Sequence, residues 1–373
     1  MKAVNGHEII QLFETWAPKK MACMPNDPVG LAIGTLNKPV SKVLVTLDVT
    51  HEVVDEAIAK GCELIIAHHP PIFAKLKHIR TDDVKGQLFE KCIKNDIAVY
   101  AAHTNLDVAP GGVNDLLADA LGLVDRKSLE DTYSESLMKL ALFVPETHVN
   151  AMLTALAKAG AGQIGDYDSC SFTSSGEGRF RALDGANPFV GNVGEYHVES
   201  EKKIEVVFPA SMKNRVLKAM LTAHPYEEPA YDLWTLANTV NNQGLGRVGK
   251  LKEPMTLEDF AEFVKVALDV PALRVVGKLD TLVQKVVVVG GSGNDYVRKA
   301  IFSGADVFVT GDISFHIAQD AEAEGLNIVD PGHHVEKVMI KGVKEKMTVL
   351  CEEKKLNVTF IESAIHTEPF KFL

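Results

Sequence analysis

In Leu64-Ile65-Ile66-Ala67-His68-His69-Pro70-Pro71 an apolar run leads into two adjacent histidines, and a proline pair follows. Imidazole nitrogens and carboxylate oxygens are the side-chain atoms that take Zn²⁺, Mn²⁺ or Fe²⁺. The same chain presents His103 with Asp107 four residues later, and His333 with Glu336 three residues later. His68, His69 and His333 with Asp107 and Glu336 therefore make a set of three imidazoles and two carboxylates. Carboxylates can bridge a metal pair, and a set without thiolate argues against a cysteine-rich structural zinc site. One histidine at a strand end is ordinarily a local hydrogen-bonding group. The five-residue set is what points to metal.

These residues matter together only if the elements that carry them share an edge. Apolar periodicity predicts strands over 42–48, 62–67 and 96–101, and again over 286–289, 306–309, 327–329 and 356–361. Helices are predicted over 7–17, 82–95, 113–121, 313–324 and 335–354. Thr50 and Thr256 have the chemistry of N-caps for helices that follow them, and Gly61 that of a helix stop. In parallel α/β sheets, ligands gather outside the carboxyl ends of the strands. Asp48, His68, His69, His103, Asp107, Asp312, His333 and Glu336 all fall at such ends.

Between these stretches the pattern changes. A strand over 138–144 and a helix over 146–160 precede a Gly/Ser-rich stretch containing Ser174-Ser175-Gly176-Glu177-Gly178. A strand over 202–207, a helix over 213–223 and a strand over 230–236 follow. Two β-α-β halves of this size suggest a ferredoxin-like α+β module. Residues 238–249, rich in Asn and Gly, read as a return linker. Residues 43–69 also align without a gap on 286–312, which indicates two duplicated α/β halves flanking the module. The expected organisation is 1–129 for the first half, 130–240 for the insert and 241–373 for the second half.

Other motifs carry weaker signals. Gly290-Gly291-Ser292-Gly293 is either a phosphate cradle or a tight βα turn. His316, four residues after Asp312, is expected behind the site residues or at the surface. His224-Pro225-Tyr226-Glu227-Glu228-Pro229 reads as a turn with Tyr226 packed on the sheet, not as a metal site. The 373 residues carry a net charge of −11, with pI near 5.6 and no extended basic tract, which argues against general nucleic-acid binding. No apolar run is long enough for a membrane span. Five dispersed cysteines without CxxC spacing and an N-terminus without a signal region suggest a reduced, cytoplasmic protein.

His68-His69-Pro70 with Phe73, His103-Thr104-Asn105-Leu106-Asp107, Thr310-Gly311-Asp312 and Gly332-His333-His334-Val335-Glu336 occur in an order that resembles the Nif-three-like dinuclear metal-centre family. Its members are known as GTP cyclohydrolase 1 type 2 homologues. Asn26-Asp27-Pro28-Val29-Gly30 and Thr367-Glu368-Pro369-Phe370 are similar to that family's termini, so the likeness spans the chain. The resemblance implies an α/β fold of two duplicated three-layer halves with an inserted ferredoxin-like, PII/CutA-like domain. It also implies two divalent ions per subunit, Zn or else Fe or Mn, held by His68, His69, Asp107, His333 and Glu336. It further implies a toroidal homohexamer. On this view His103 or His334 would carry protons in hydrolysis of a nucleotide or phosphate ligand. A non-catalytic regulatory hexamer that senses metal or ligand is the competing expectation.

Overall fold

The computed structural model describes residues 4–373. The chain forms two compact units, one from the segment up to Tyr133 together with Gln243–Leu373, the other from Ser134–Asn242. The first unit begins with α1 (Gly6–Trp16), β1 (Gly30–Ile33), β2 (Lys42–Thr46), α2 (His51–Lys60), β3 (Leu64–Ala67), α3 (Val84–Lys94), β4 (Ala98–Ala101), α4 (Thr104–Val108) and α5 (Val113–Ala120). The long β5 (Val124–Pro145) leads to α6 (Val149–Lys158), β6 (Phe172–Arg181), β7 (Tyr196–Pro209) and α7 (Lys213–Ala223), and the long β8 (Tyr231–Thr256) leads back. Then come α8 (Leu257–Ala267), β9 (Arg274–Val276), β10 (Leu282–Ser292), α9 (Val297–Phe302), β11 (Val307–Gly311), α10 (Phe315–Ala323), β12 (Asn327–Asp330), α11 (Val338–Glu353) and β13 (Thr359–Glu362).

In the first unit one sheet runs β1-β4-β3-β2-β13, with β1 antiparallel and the other neighbours parallel. A second strand set runs β8-β10-β11-β12-β9, with parallel pairing between β10, β11 and β12. β3, β4, β11 and β12 are buried along their whole length, which is why their sequences are near-continuous apolar runs.

The two sets are hydrogen-bonded alike. Val43 pairs with Leu64 as Val286 pairs with Val307. The Glu63 carboxylate accepts from the Ser41 and Lys42 amides, as the Asp306 carboxylate does from Gln284 and Lys285. The Lys42 ammonium donates to Lys60 O, and that of Lys285 to Ser303 O. The helix between each strand pair stops at a left-handed glycine, Gly61 (φ 64°) and Gly304 (φ 70°). An L side chain is disfavoured at those φ values.

The second unit has its own core of Leu140, Leu142, Val144, Met152, Leu156, Phe208, Val216 and Met220. Its strands lie in the order β6-β7-β5-β8, with α6 packed on α7. One expectation is corrected here, and one stretch without an assigned element is placed. Residues 238–249 are not a linker but lie within β8, and the Gly/Ser-rich stretch around 174–178 is the middle of β6, paired to β7. The 174–178 stretch is largely exposed, while 238–249 passes from exposed residues to the continuously buried 244–249, so neither shows the apolar alternation by which half-buried strands are recognised.

Candidate metal centre

β3 ends at Ala67, where two consecutive amides turn to the same neighbour: His68 N–H donates to Thr46 O (3.2 Å) and His69 N–H to Leu47 O (2.9 Å). Successive residues of a regular strand would face opposite ways. Here the strand has ended, and the two rings lie side by side with centroids 5.1 Å apart. The His68 Nδ1–H donates to the Ala102 carbonyl at 2.8 Å. A carbonyl only accepts, so Nδ1 carries the proton and the lone pair of the neutral ring is on Nε2. His69 Nδ1 lies 2.7 Å from Asp48 Oδ1, His103 Nδ1 2.7 Å from Asp27 Oδ1, and His333 Nδ1 2.7 Å from Asp312 Oδ2. Four imidazoles are thus anchored through Nδ1, the arrangement by which outer acceptors orient metal-binding histidines.

Glu336 is the meeting point. It stands in the 3₁₀ turn His333–Lys337 ahead of α11 and is buried. Its Oε1 lies 3.6 Å from His68 Nε2; its Oε2 lies 3.0 Å from His69 Nε2 and 3.2 Å from His333 Nε2. The ligand atoms of His68, His69 and Glu336 all fall within 4.8 Å of one another, a group that can hold a metal ion. Asp107, on α4, brings Oδ1 to 3.6 Å from His68 Nε2. That oxygen is buried and accepts no hydrogen bond. Leaving a buried carboxylate oxygen unpaired is costly unless a cation meets it.

Charge is unevenly matched in this cluster. Burial pushes the Asp107 carboxyl up to about 6. Burial acts the same way on Glu336, but the His68 charge and hydrogen bonds from the histidines outweigh it and hold that carboxyl well below its usual range. Burial opposes charge on His69, yet hydrogen bonds to Asp48 and Glu336 carry it up to about 10. The hydrogen bond to Glu336 takes His333 up to about 9. The carboxylates demand positive charge at the point where the Nε2 atoms converge.

His103 shares the neighbourhood, its ring 5.5 Å from that of His68 and 6.2 Å from that of His69. His334 points elsewhere: its ring stacks on His366 at 4.5 Å and its Nε2 is 3.3 Å from Thr367 Oγ1. His316 is exposed and contacts Gln319. The glycine run at 290–293 has a role that its pattern does not disclose. A Cβ on Gly291 would stand 2.8 Å from Glu336 Oε1, and one on Gly290 3.0 Å from it. These glycines clear the space that the Glu336 carboxylate occupies. Asp27 and Thr367 lie in motifs that carry the family resemblance but had no role assigned there, and Asn114 escapes sequence reasoning. Asn114 bridges the Asp107 carbonyl and the Gly290 amide, and the Thr367 hydroxyl donates to Asp48 Oδ2. A cavity of about 950 Å³ opens beside the cluster, bordered by His69, Asp48, Asp312, His333, His334 and the C-terminal segment around Phe370.

Among known proteins, the Duf34/NIF3 (NGG1p interacting factor 3) family profile matches residues 4–369. A Bacillus subtilis protein named "GTP cyclohydrolase 1 type 2 homolog" is 55% identical over 372 residues, covering all of both chains. A Listeria innocua protein of the same name is 45% identical over 373 residues, again across both whole chains. The solved Bacillus cereus protein related to NIF3 superposes with a TM-score of 0.94 at 55% identity, with complete coverage of both chains.

Proposed function

This chain belongs to the Duf34/NIF3 family, and from that premise we propose that it binds two divalent metal ions and hydrolyses a nucleotide beside them. The observation that carries the proposal is the buried Asp107 Oδ1, which accepts no hydrogen bond, next to imidazoles whose Nδ1 atoms are already occupied. His68, Asp107 and Glu336 Oε1 would hold one ion; His69, His333 and Glu336 Oε2 would hold the other. The mixed nitrogen and oxygen donors suit zinc, with iron or manganese as alternatives. When bound, such a pair supplies Lewis acidity and lowers the pKa of water.

The chain's own groups do the rest. Asp48, Asp312 and the Ala102 carbonyl fix the ring planes, so that Nε2 faces inward. Asp27 holds His103 beside the cluster, in place to take up or deliver a proton. His334 borders the cavity, where burial and the neighbouring His366 lower its pKa and keep it neutral, able to accept a proton. Relatives named for GTP cyclohydrolase direct the substrate reading toward guanine nucleotides. The cavity has the volume for a nucleotide; Lys371 lines it as a partner for phosphate, and Arg274 also lines it but is paired with Asp330.

The proposal extends to the fold and the assembly. We read the shared hydrogen bonding of β2-α2-β3 and β10-α9-β11 as a duplication. The order β-α-β-β-α-β in the second unit is read as a ferredoxin-like insert. The expected assembly is a cytoplasmic homohexamer. No described helix is long and apolar enough to cross a membrane.

The test combines metal analysis with turnover. The purified protein should carry two ions per chain, Glu336→Gln should lose metal, and the loaded protein should hydrolyse at least one member of a nucleotide panel that includes GTP. Full metal occupancy without turnover on any nucleotide would overturn the hydrolase assignment and leave the regulatory hexamer.

A further inference from the structure

Two motifs that the metal centre leaves unused, Ser174-Ser175-Gly176-Glu177-Gly178 and the 224–229 turn, meet at one cavity of about 560 Å³ within the second unit. Three rings form its apolar wall. Tyr226 stands between Phe180 and Phe189, with ring centroids 6.4 Å and 6.2 Å away. Behind Tyr226 lies Glu201, 8% exposed, whose Oε1 accepts from the Tyr226 hydroxyl at 2.8 Å. The other oxygen, Oε2, lies where a Cβ on Gly178 would collide with it. A glycine at this place in β6 therefore lets the carboxylate lie against the strand and face the cavity.

The electrostatic balance of the cavity is negative. Its two cationic side chains are already engaged, Arg179 with Glu177 and Lys203 with Glu205. Glu201, Glu227 and Glu228 line the cavity and form no ion pair among the described residues. Glu227 accepts only from the Asn187 amide, at 2.9 Å. No described lysine or arginine lies over Phe180, Phe189 or Tyr226; the nearest such contact in sequence, Arg181, lies over Tyr196. An anion would meet three carboxylates here, and a purely apolar guest would leave the Glu201 carboxylate uncompensated. A cation with alkyl substituents satisfies both: the quadrupoles of the rings attract its positive charge, and its methyl groups fill the apolar space. The volume falls in the range of small-molecule sites.

We propose that this cavity, walled by Phe180, Phe189 and Tyr226 over Glu201, is a binding site for a small alkylated ammonium cation.

The test uses the full-length protein and two probes of nearly equal shape, choline and its uncharged carbon analogue 3,3-dimethylbutan-1-ol. Both give a methyl singlet whose broadening on binding is read by ligand-observed NMR. Choline should bind at least about threefold more tightly than the neutral analogue, the order expected for a cation on partly exposed rings. Glu201→Gln and Phe189→Ala should each weaken choline by about three- to tenfold with unchanged far-UV circular dichroism. Phe189 is 51% exposed, so its truncation spares the fold and decides the matter even if the Glu201 variant misfolds. Equal binding of the two probes, no binding of choline, or wild-type binding by Phe189→Ala would overturn the assignment.

Discussion

At the scale of single residues, the Nδ1 contacts of His69 and His333 are carboxylates that the chain supplies from other strand ends, Asp48 and Asp312. Asp48 is itself held by Thr367, so a run of hydrogen bonds passes from the C-terminal segment through Asp48 to His69 and on to Glu336. Asp48→Asn keeps an acceptor in place but removes its charge. It should weaken metal affinity by about 10–100-fold while leaving the fold intact, as loss of an outer partner does elsewhere. Competition against a chromophoric chelator measures this, and an unchanged affinity would count against His69 as a ligand. The histidines were legible in the sequence because they interrupt apolar strands. Asp48 and Asp312 were placed at strand ends beside them, but their pairing was not legible, since only the fold says which ring each aspartate meets. Gly290 and Gly291 mislead for a related reason: a run of small residues looks like a phosphate loop, whereas its use here is to admit the Glu336 side chain.

At the scale of elements, caps and buried strands were the most readable features. The Thr50 hydroxyl accepts from the Val53 amide at the start of α2, and Thr256 does the same for Asp259 at α8. What could not be read was how far β5, β6 and β8 run, because β6, the start of β5 and the first half of β8 are exposed and gain their order from neighbouring backbone, not from an apolar pattern of their own. The returning part of β8 is tied down by Arg247, which makes paired hydrogen bonds to Asp115 on α5, at 2.5 and 2.8 Å, and also donates to the Gly244 and Gly246 carbonyls. Burial raises the Asp115 pKa, but the hydrogen bonds and charge of Arg247 outweigh it and hold the carboxyl below its usual value. The pair's contribution is therefore present above the unfolded carboxyl range, near pH 4, and is lost as pH falls through the lower folded value. Asp115→Asn strands a buried guanidinium and should cost about 2–4 kcal/mol at pH 7. The gap from wild type in urea midpoint should narrow as the buffer is taken toward pH 3. A gap independent of pH would show that the loss is one of packing and not of charge.

At the scale of the whole molecule, each unit encloses its own apolar cluster. The chain segments that leave and re-enter the first unit run close together, since a Cβ on Gly244 would collide with the Glu130 carbonyl. A chain with Ser134–Asn242 replaced by a short Gly-Ser linker should therefore fold and bind metal at the wild-type ratio, as read by circular dichroism and elemental analysis. Failure to fold would mean that the first unit depends on the second. The order in which the ligands leave the ribosome has a consequence of its own. A nascent chain displays His68, His69 and Asp107 first, His333 and Glu336 only after β12 has been made, and β13, which completes the first sheet beside β2, later still. Until then the early histidines lack the carboxylate on which they converge. On the proposed assignment, metal capture by all five ligands would wait for that later segment, and chains terminated before His333 would be unable to hold the ions.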